Sequence, residues 1–315
     1  MKHIGLVGCG RIGRLHARNL AKRAHLYFCS RSRPSAEGFQ QEFGGSGAVG
    51  AFEDLLALPQ LDAVVLASPP QFHAQQVIAA LQAGKAVLAE KPLCLTPEEI
   101  AAIARVLPGR PFLMVAENYY YKPSLALCRE LIGAGAIGQL RSVEVRKCFR
   151  QEAAGWKSQY GALLEGGIHF VALINALFDA APLSVAAEFP GRQPGQPERH
   201  SLTHLTYPGE ARATLHYAWN QPSLTKGLFQ HSQLRGTAGQ IFFESNGLYA
   251  WLSAGNKNKL YFPGFGDLMG YRAMTADFLA CLGDPARQPL SDFAQARRDL
   301  EVVFAAYRFS RKGNR

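Results

Sequence analysis

Nowhere in the 315 residues does an apolar run approach the ~20 residues that a membrane-spanning helix needs. No membrane partner is therefore expected. Cysteine is sparse and scattered. The six, at positions 9, 29, 94, 128, 148 and 281, include no C-x-x-C pair. That argues against a disulfide framework or a zinc site, and for reduced thiols in a cytoplasm. The opening "MKHIGLVGCG" enters a strand-like run at once, without the long apolar stretch and small-residue cleavage pattern of a secretory leader. The expected location is thus cytoplasmic. Internal repeats and low-complexity segments are absent as well. His200 and His204 do not amount to a metal site, since four residues along a strand separate them by ~13 Å.

The residues that are present read as globular, with 48% hydrophobic content and a length suited to two domains. Net charge is +10. Such a balance suits phosphate-bearing small molecules as well as nucleic acid. Arg11, Arg14, Arg18, Lys22 and Arg23 fall at helical spacing, as on a solvated helix face. No zinc-finger or basic-zipper pattern accompanies them, so nucleic acid is not an expected partner.

Residues 1–120 alternate short apolar runs ("HIGLVG", "HLYFCS", "AVVLAS", "AVLAE", "FLMVAE") with amphipathic stretches. That order predicts an α/β domain with a doubly wound parallel sheet covered on both faces, the Rossmann arrangement. Thr96, Pro97 and Glu99 predict a capping box with a proline at the first helical position. After Pro123 the texture changes to one helix, a long strand, a helical stretch over 161–178 and then a series of strand-like runs split by turns. This predicts an antiparallel sheet with a helix against one face.

Gly8-Cys9-Gly10-Arg11-Ile12-Gly13 fits G-x-G-x-x-G after a strand and at the start of a helix, the context that gives this pattern meaning. Gly8 permits the tight turn, Gly10 lets a pyrophosphate approach, and Gly13 lets helix and strand pack closely. The amides at the helix start, from Arg11 onward, and the helix dipole favour phosphate. About 20 residues on, an NAD-binding unit carries an acid for the ribose hydroxyls. Here the chain reads Ser30-Arg31-Ser32-Arg33, with no acid until Glu37. Ser30, Arg31 and Arg33 would attract a 2′-phosphate, which predicts NADP(H) over NAD(H).

"LAEKPL" (88–93) places Glu90, Lys91 and Pro92 at a strand end, where open α/β sheets bind their ligands. With "ASPPQFHA" (67–74) and "GALLEGGIH" (161–169), it resembles the glucose–fructose oxidoreductase / inositol dehydrogenase / MocA family. "ASPPQFHA" is similar to the family's T-P-P-x-x-H turn, with Ser68 for Thr, "AEKPL" within the opening stretch to its E-K-P signature, and "GALLEGGIH" to its G-x-L-x-D-x-G-x-H helix. Order and spacing agree over nearly the full length. The resemblance implies a Rossmann domain (1–120) and a substrate-binding and oligomerisation α/β domain (121–315) with an open, mostly antiparallel sheet. It also implies a sugar, cyclitol or related polyol as substrate, and a homodimer or homotetramer.

Carried over residue by residue, the resemblance gives Lys91 the reacting oxygen, across a cis Lys91–Pro92 bond. His169 takes or returns the proton, as its neutral-range titration suits. Glu165 stands where the family usually has Asp, four residues before His169 and so on the same helix face. Its extra methylene moves the carboxylate by ~1.5 Å, and it is carried over as the third catalytic residue, the one that orients the imidazole. Ser68, Pro69, His73, Glu90 and Asn118 match cofactor positions. Tyr120, where the family pattern N-x-R-F-x-P has Arg, together with Trp156 and Lys157 would border the substrate. Tyr120 and Trp156 read equally as packing residues. Two other functions stay open: a dinucleotide-binding sensor without catalysis, and an NAD-dependent glycosidase of the same fold.

Overall fold

The computed structural model describes residues 1–223, 225 and 227–312. The last three positions of the expected second domain lie outside these. Two compact units are present: Met1–Glu117 with Tyr271–Arg297, and Asn118–Gly270 with Arg298–Arg315.

The first unit begins β1 (Lys2–Val7), α1 (Arg11–Leu20), β2 (Ala24–Cys29), α2 (Arg33–Phe43), β3 (Gly47–Val49) and α3 (Phe52–Leu56). It continues β4 (Ala63–Leu66), α4 (His73–Gln82), β5 (Ala86–Ala89), α5 (Pro97–Val106) and β6 (Leu113–Val115). The six strands order as β3-β2-β1-β4-β5-β6, all parallel. The order reverses between β1 and β4, and ligands of such sheets bind at the carboxyl ends of the strands near that point. β4 and β5 are buried along their whole length, as their unbroken apolar runs require. The capping box of α5 is present: Thr96 Oγ1 accepts from the Glu99 amide (3.2 Å), and the Glu99 carboxylate accepts from the Thr96 amide (3.3 Å).

The second unit contains α6 (Pro123–Gly133), β7 (Leu140–Cys148), α7 (Ile168–Phe178), β8 (Ser184–Glu188), β9 (His200–Thr206) and β10 (Arg212–Ala218). It continues with β11 (His231–Gly236), β12 (Gln240–Glu244), β13 (Ala250–Ala254) and β14 (Lys257–Tyr261). The eight strands order as β14-β13-β12-β11-β7-β10-β9-β8, and only β7 and β10 run parallel. Val143 and Val145 of β7 are buried while Glu144 and Arg146 are exposed, the alternation of a sheet covered on one face. α7 packs against β7 and β10. A row of residues in register, Leu260–Trp251–Phe242–Gln233–Glu144–Thr214–His204, crosses seven strands on the other face. Leu260 is 54% and Trp251 46% exposed there.

The chain then forms α8 (Tyr271–Gly283) and α9 (Phe293–Lys312). Here the division departs from the linear one at 120/121, because Tyr271–Arg297 belongs with the first unit. The backbone shows why. The Val115 amide donates to Ser291 O (2.8 Å), the Ser291 hydroxyl donates to Val115 O (2.6 Å), and Phe278 meets Phe112 edge-on. Residues near 291 thus complete the edge of β6, a long-range pairing that local periodicity does not encode.

Candidate active site

In the first unit, the glycine loop has the geometry its spacing predicts. Gly8 has φ +101°, a region that side chains rarely adopt, and its amide donates to Cys29 O (2.9 Å). A Cβ on Gly13 would run into the carbonyl oxygen of Gly8, whereas a Cβ on Gly10 would meet nothing within 4 Å. Gly13 therefore serves packing, and Gly10 leaves open space. Gly10 also caps α1 without any side-chain bond, and no acid lies in the first turn. Arg11 is exposed, and Ile12 half-buried. An uncapped helix start facing open space fits a dinucleotide pyrophosphate. Burial pushes the neighbouring Cys9 thiol up to about 11, so it stays protonated at neutral pH.

The turn after β2 keeps its polar groups at the surface. Ser30 Oγ accepts from the Ser32 amide (3.3 Å). The Arg31 guanidinium lies 5.6 Å from the Phe72 ring centroid. Arg33 pairs with Glu37 (3.0 Å), one turn along α2, which offsets its charge. Of the two arginines, Arg31 is the better placed for a phosphate.

The Lys91–Pro92 peptide is cis, as the resemblance implies. Glu90 is almost wholly buried and grips its own turn. Its carboxylate accepts from His16 Nε2 (2.8 Å) and from the Lys91 amide (3.2 Å). Burial pushes the Glu90 carboxyl up, but the His16 bond and the charges of His16, Lys91 and His73 outweigh it. The net shift is below the usual carboxylate value. His16 lies on α1, so the helix behind the glycine loop is tied to the turn that carries Lys91. His73, expected at the cofactor, instead has both ring nitrogens on backbone carbonyls: Nδ1 at 2.9 Å from Pro92 O and Nε2 at 2.8 Å from Ser68 O. It ties the turn after β4 to the turn after β5. Burial drives its imidazole pKa down against the pull of those carbonyls and Glu90. Ser68 Oγ donates to Gln76 (2.5 Å), and Pro69 precedes a short helical turn over Pro70–Phe72.

In the second unit, Glu165 and His169 do not lie on one regular helix. Leu163–Gly167 forms a π-helical turn before α7. Its wider i→i+5 pitch displaces the i, i+4 alignment that an α-helix would give, and such turns often mark functional sites. Gly166 and Gly167 lie within it, and a Cβ on Gly166 would meet the Tyr217 hydroxyl, so the turn packs closely on that ring. The first amides are capped by side chains: the Leu163 amide donates to Glu198 (2.8 Å), and the Leu164 amide to Tyr307 Oη (3.3 Å). The Tyr307 hydroxyl itself donates to Glu198 (3.0 Å). Burial pushes the Glu198 carboxyl up, against these hydrogen bonds.

The Glu165 carboxylate pairs with Lys157 Nζ at 2.6 Å. That ammonium lies 5.6 Å from the Trp156 ring, which in turn packs against Tyr160. Trp156, Lys157 and Glu165 thus form one cluster. Tyr120 stands apart from it. It is buried, and its hydroxyl donates to Asp299 (2.8 Å) and accepts from Arg298 (3.3 Å). Asp299 also accepts from Asn175 (2.7 Å), to which Tyr207 donates (2.7 Å). Tyr120 is therefore part of a core network that braces α7, and the packing alternative describes it. Asn118 is buried too, with its amide nitrogen donating to Met269 O (2.7 Å). The His200 and His216 rings stack, with their Nε2 atoms 2.7 Å apart, and among the described residues no cluster of metal ligands occurs. No helix among them is long and apolar enough to cross a membrane.

Residues 2–115 match the model of the oxidoreductase family with an NAD-binding Rossmann fold, and residues 125–242 match the C-terminal domain model of the same family. The chain belongs to the Gfo/Idh/MocA family. Among curated relatives, mouse trans-1,2-dihydrobenzene-1,2-diol dehydrogenase is 30% identical over 212 residues, 63% of each chain. Inositol 2-dehydrogenase of Rhizobium meliloti is 29% identical over 189 residues, 58% of this chain and 57% of that one. The match spans less than two thirds of either relative's length. A solved structure of an oxidoreductase from Agrobacterium radiobacter, in complex with NAD+, L-tartaric acid and magnesium, superposes with a TM-score of 0.89 at 17% identity. It covers 99% of this chain and 97% of that one. This likeness shows the fold.

Two features escaped the sequence reading. The π-turn was signalled only by the Gly166-Gly167 pair. Tyr119, whose ring stacks on His169, sits between residues that drew attention for other reasons.

Proposed function

We propose that this protein is an NADP(H)-dependent oxidoreductase. It transfers a hydride between the nicotinamide and a hydroxyl-bearing carbon, or its carbonyl, of a sugar, cyclitol or related polyol. The observation that carries the reading is the His16–Glu90 bond (2.8 Å), which ties the amine-bearing turn to the helix behind the open glycine loop. A loop shaped for pyrophosphate after β1 and a lysine after β5, two strands away in the same sheet, are thus held as one preorganised unit. Family membership and relatives named as dehydrogenases of a diol and of inositol support the same class.

The bound dinucleotide supplies the hydride acceptor or donor. Gly10 and the amides of Arg11, Ile12 and Gly13 hold its pyrophosphate, and Ser68, Pro69 and Asn118 border it. Glu90 and His73 act one step back by fixing the turns. Lys91 donates to the reacting oxygen and stabilises its alkoxide character. On oxidation, His169 takes the hydroxyl proton as the hydride leaves the carbon; on reduction it returns that proton. Glu165 holds the Lys157 ammonium against Trp156 at the substrate's border.

NADP(H) is preferred because Arg31 offers a guanidinium to a 2′-phosphate where no acid repels it. Arg31→Ala tests this. Affinity for NADP+ should fall about tenfold or more while that for NAD+ holds, the loss of one charge-assisted bond. An unchanged ratio would remove the assignment. The covered face of the second sheet binds α7, and the other face carries the apolar stretch Phe242–Trp251–Leu260. That stretch supports association of two or four copies.

A further inference from the structure

We infer that Tyr119 is a positioning residue for His169, setting the plane in which that imidazole moves its proton. The inference rests on His169 as the proton carrier proposed above.

Residues Asn118–Tyr121 form a short helical turn, and within it Tyr119 is buried. Its ring stacks on the His169 imidazole, with centroids 4.8 Å apart and planes 14° from parallel. An α-helix fixes the direction of a histidine's Cβ but leaves its terminal torsion broad. The ring plane must therefore be set by contacts. It matters chemically because the N–H bond and the nitrogen lone pair both lie in that plane. A proton is passed along a direction in the plane, and an imidazole turned about its Cβ–Cγ bond aims elsewhere.

Tyr119 is itself fixed on two sides. Phe170, the residue after His169, meets it edge-on at 5.1 Å and 73°. Lys122 Nζ lies 4.4 Å from its centroid, a cation–π distance, and Lys122 is almost wholly buried. Phe170 packs in turn against Tyr217, the ring beneath Gly166 of the π-turn. The stack therefore joins the 118–121 turn to the first turn of α7 through ring faces. Because the ring face makes the contact with His169, phenylalanine should substitute for tyrosine and leucine should not.

The test combines a spectroscopic readout with kinetics. In protein carrying labelled histidine, the His169 Hε1 signal is identified by its loss in His169→Asn. Ring currents from Tyr119 should displace it upfield in the wild type and in Tyr119→Phe. In Tyr119→Leu it should return toward the unstacked position. Kinetically, Tyr119→Leu should lower kcat by about 100-fold with KM for the dinucleotide unchanged, the cost of a misaimed catalytic group. Tyr119→Phe should stay close to wild type. A wild-type signal at the unstacked position overturns the inference, even if the leucine variant does not fold. A signal unmoved by Tyr119→Leu, or a phenylalanine variant as slow as leucine, overturns it too. Lack of turnover by the wild type on every polyol would remove the proposed reaction, whereas the Hε1 signal decides the stack separately.

Discussion

Two buried carboxylates, one in each unit, respond to burial in opposite ways. Glu90 is surrounded by cations or potential cations (His16, Lys91, His73), and its pKa falls below the ordinary value. Glu198 accepts from neutral donors, the Leu163 amide and the Tyr307 hydroxyl, the Arg192 charge is the weakest of the influences on it, and burial carries its pKa upward. Both are nearly inaccessible to solvent. The difference teaches that burial sets the penalty while the charge of the partners decides whether it is overcome. The first unit uses an ionised group to hold a lysine-bearing turn to a helix. The second uses a carboxyl that tolerates a proton to cap the start of the segment bearing Glu165 and His169.

Removing each group is the most forceful way to test this contrast. Glu90→Ala leaves His16 and the Lys91 amide without their buried partner, and should cost about 3 kcal/mol. Thermal melting measures that loss. Because the Lys91 turn is then unanchored, kcat should fall with it.

Replacing each carboxylate by its amide sharpens the comparison through pH. The folded pKa of Glu90 lies below its unfolded value, so its stabilisation is present above about 4.5 and is lost as pH falls through the folded pKa. The folded pKa of Glu198 lies above its unfolded value. Its stabilisation is complete below about 4.5 and is lost as pH rises through the folded pKa. Melting temperature against pH should therefore lose part of its acid-side fall in Glu90→Gln. In Glu198→Gln it should lose part of its decline toward neutral pH. Profiles that change in the same direction would dissolve the contrast.

A smaller effect is expected where nothing is buried. Gly10→Ala meets open space, so its melting temperature should match the wild type, yet affinity for either dinucleotide should fall about tenfold or more through obstruction of the phosphate approach. Isothermal titration separates the two. Equal binding would mean that the space beside Gly10 is not the phosphate cradle.

The legibility of the sequence differs between the units for physical reasons. β4 and β5 were readable because strands buried on both faces must be apolar without interruption, β1 and β2 because their short apolar runs are each followed by a helical pattern, and α5 because its cap is written in Thr96, Pro97 and Glu99. β3 and α3 were not, being three and five residues long, too short to show a period. The glycine loop was legible because its glycines answer separate needs: Gly8 a positive φ, Gly13 close packing on the Gly8 carbonyl, and Gly10 open space for a phosphate. The inward partners of His73, Glu90 and Tyr120 were not legible. Each bonds to residues distant in the chain, and only folding brings His16, Pro92 or Asp299 to them. The same holds for the π-turn and for Glu165, whose partner Lys157 precedes it in a separate turn.

The most direct test follows nicotinamide absorbance when NADP+ or NADPH is mixed with a panel of polyols and keto-sugars, using the wild type, Lys91→Met and His169→Asn. The account predicts turnover by the wild type and a fall in kcat of about 1000-fold in each variant, the usual scale for a lost acid–base or oxyanion-stabilising group. Dinucleotide binding with no turnover on any member of the panel would contradict it, and so would turnover that survives both substitutions.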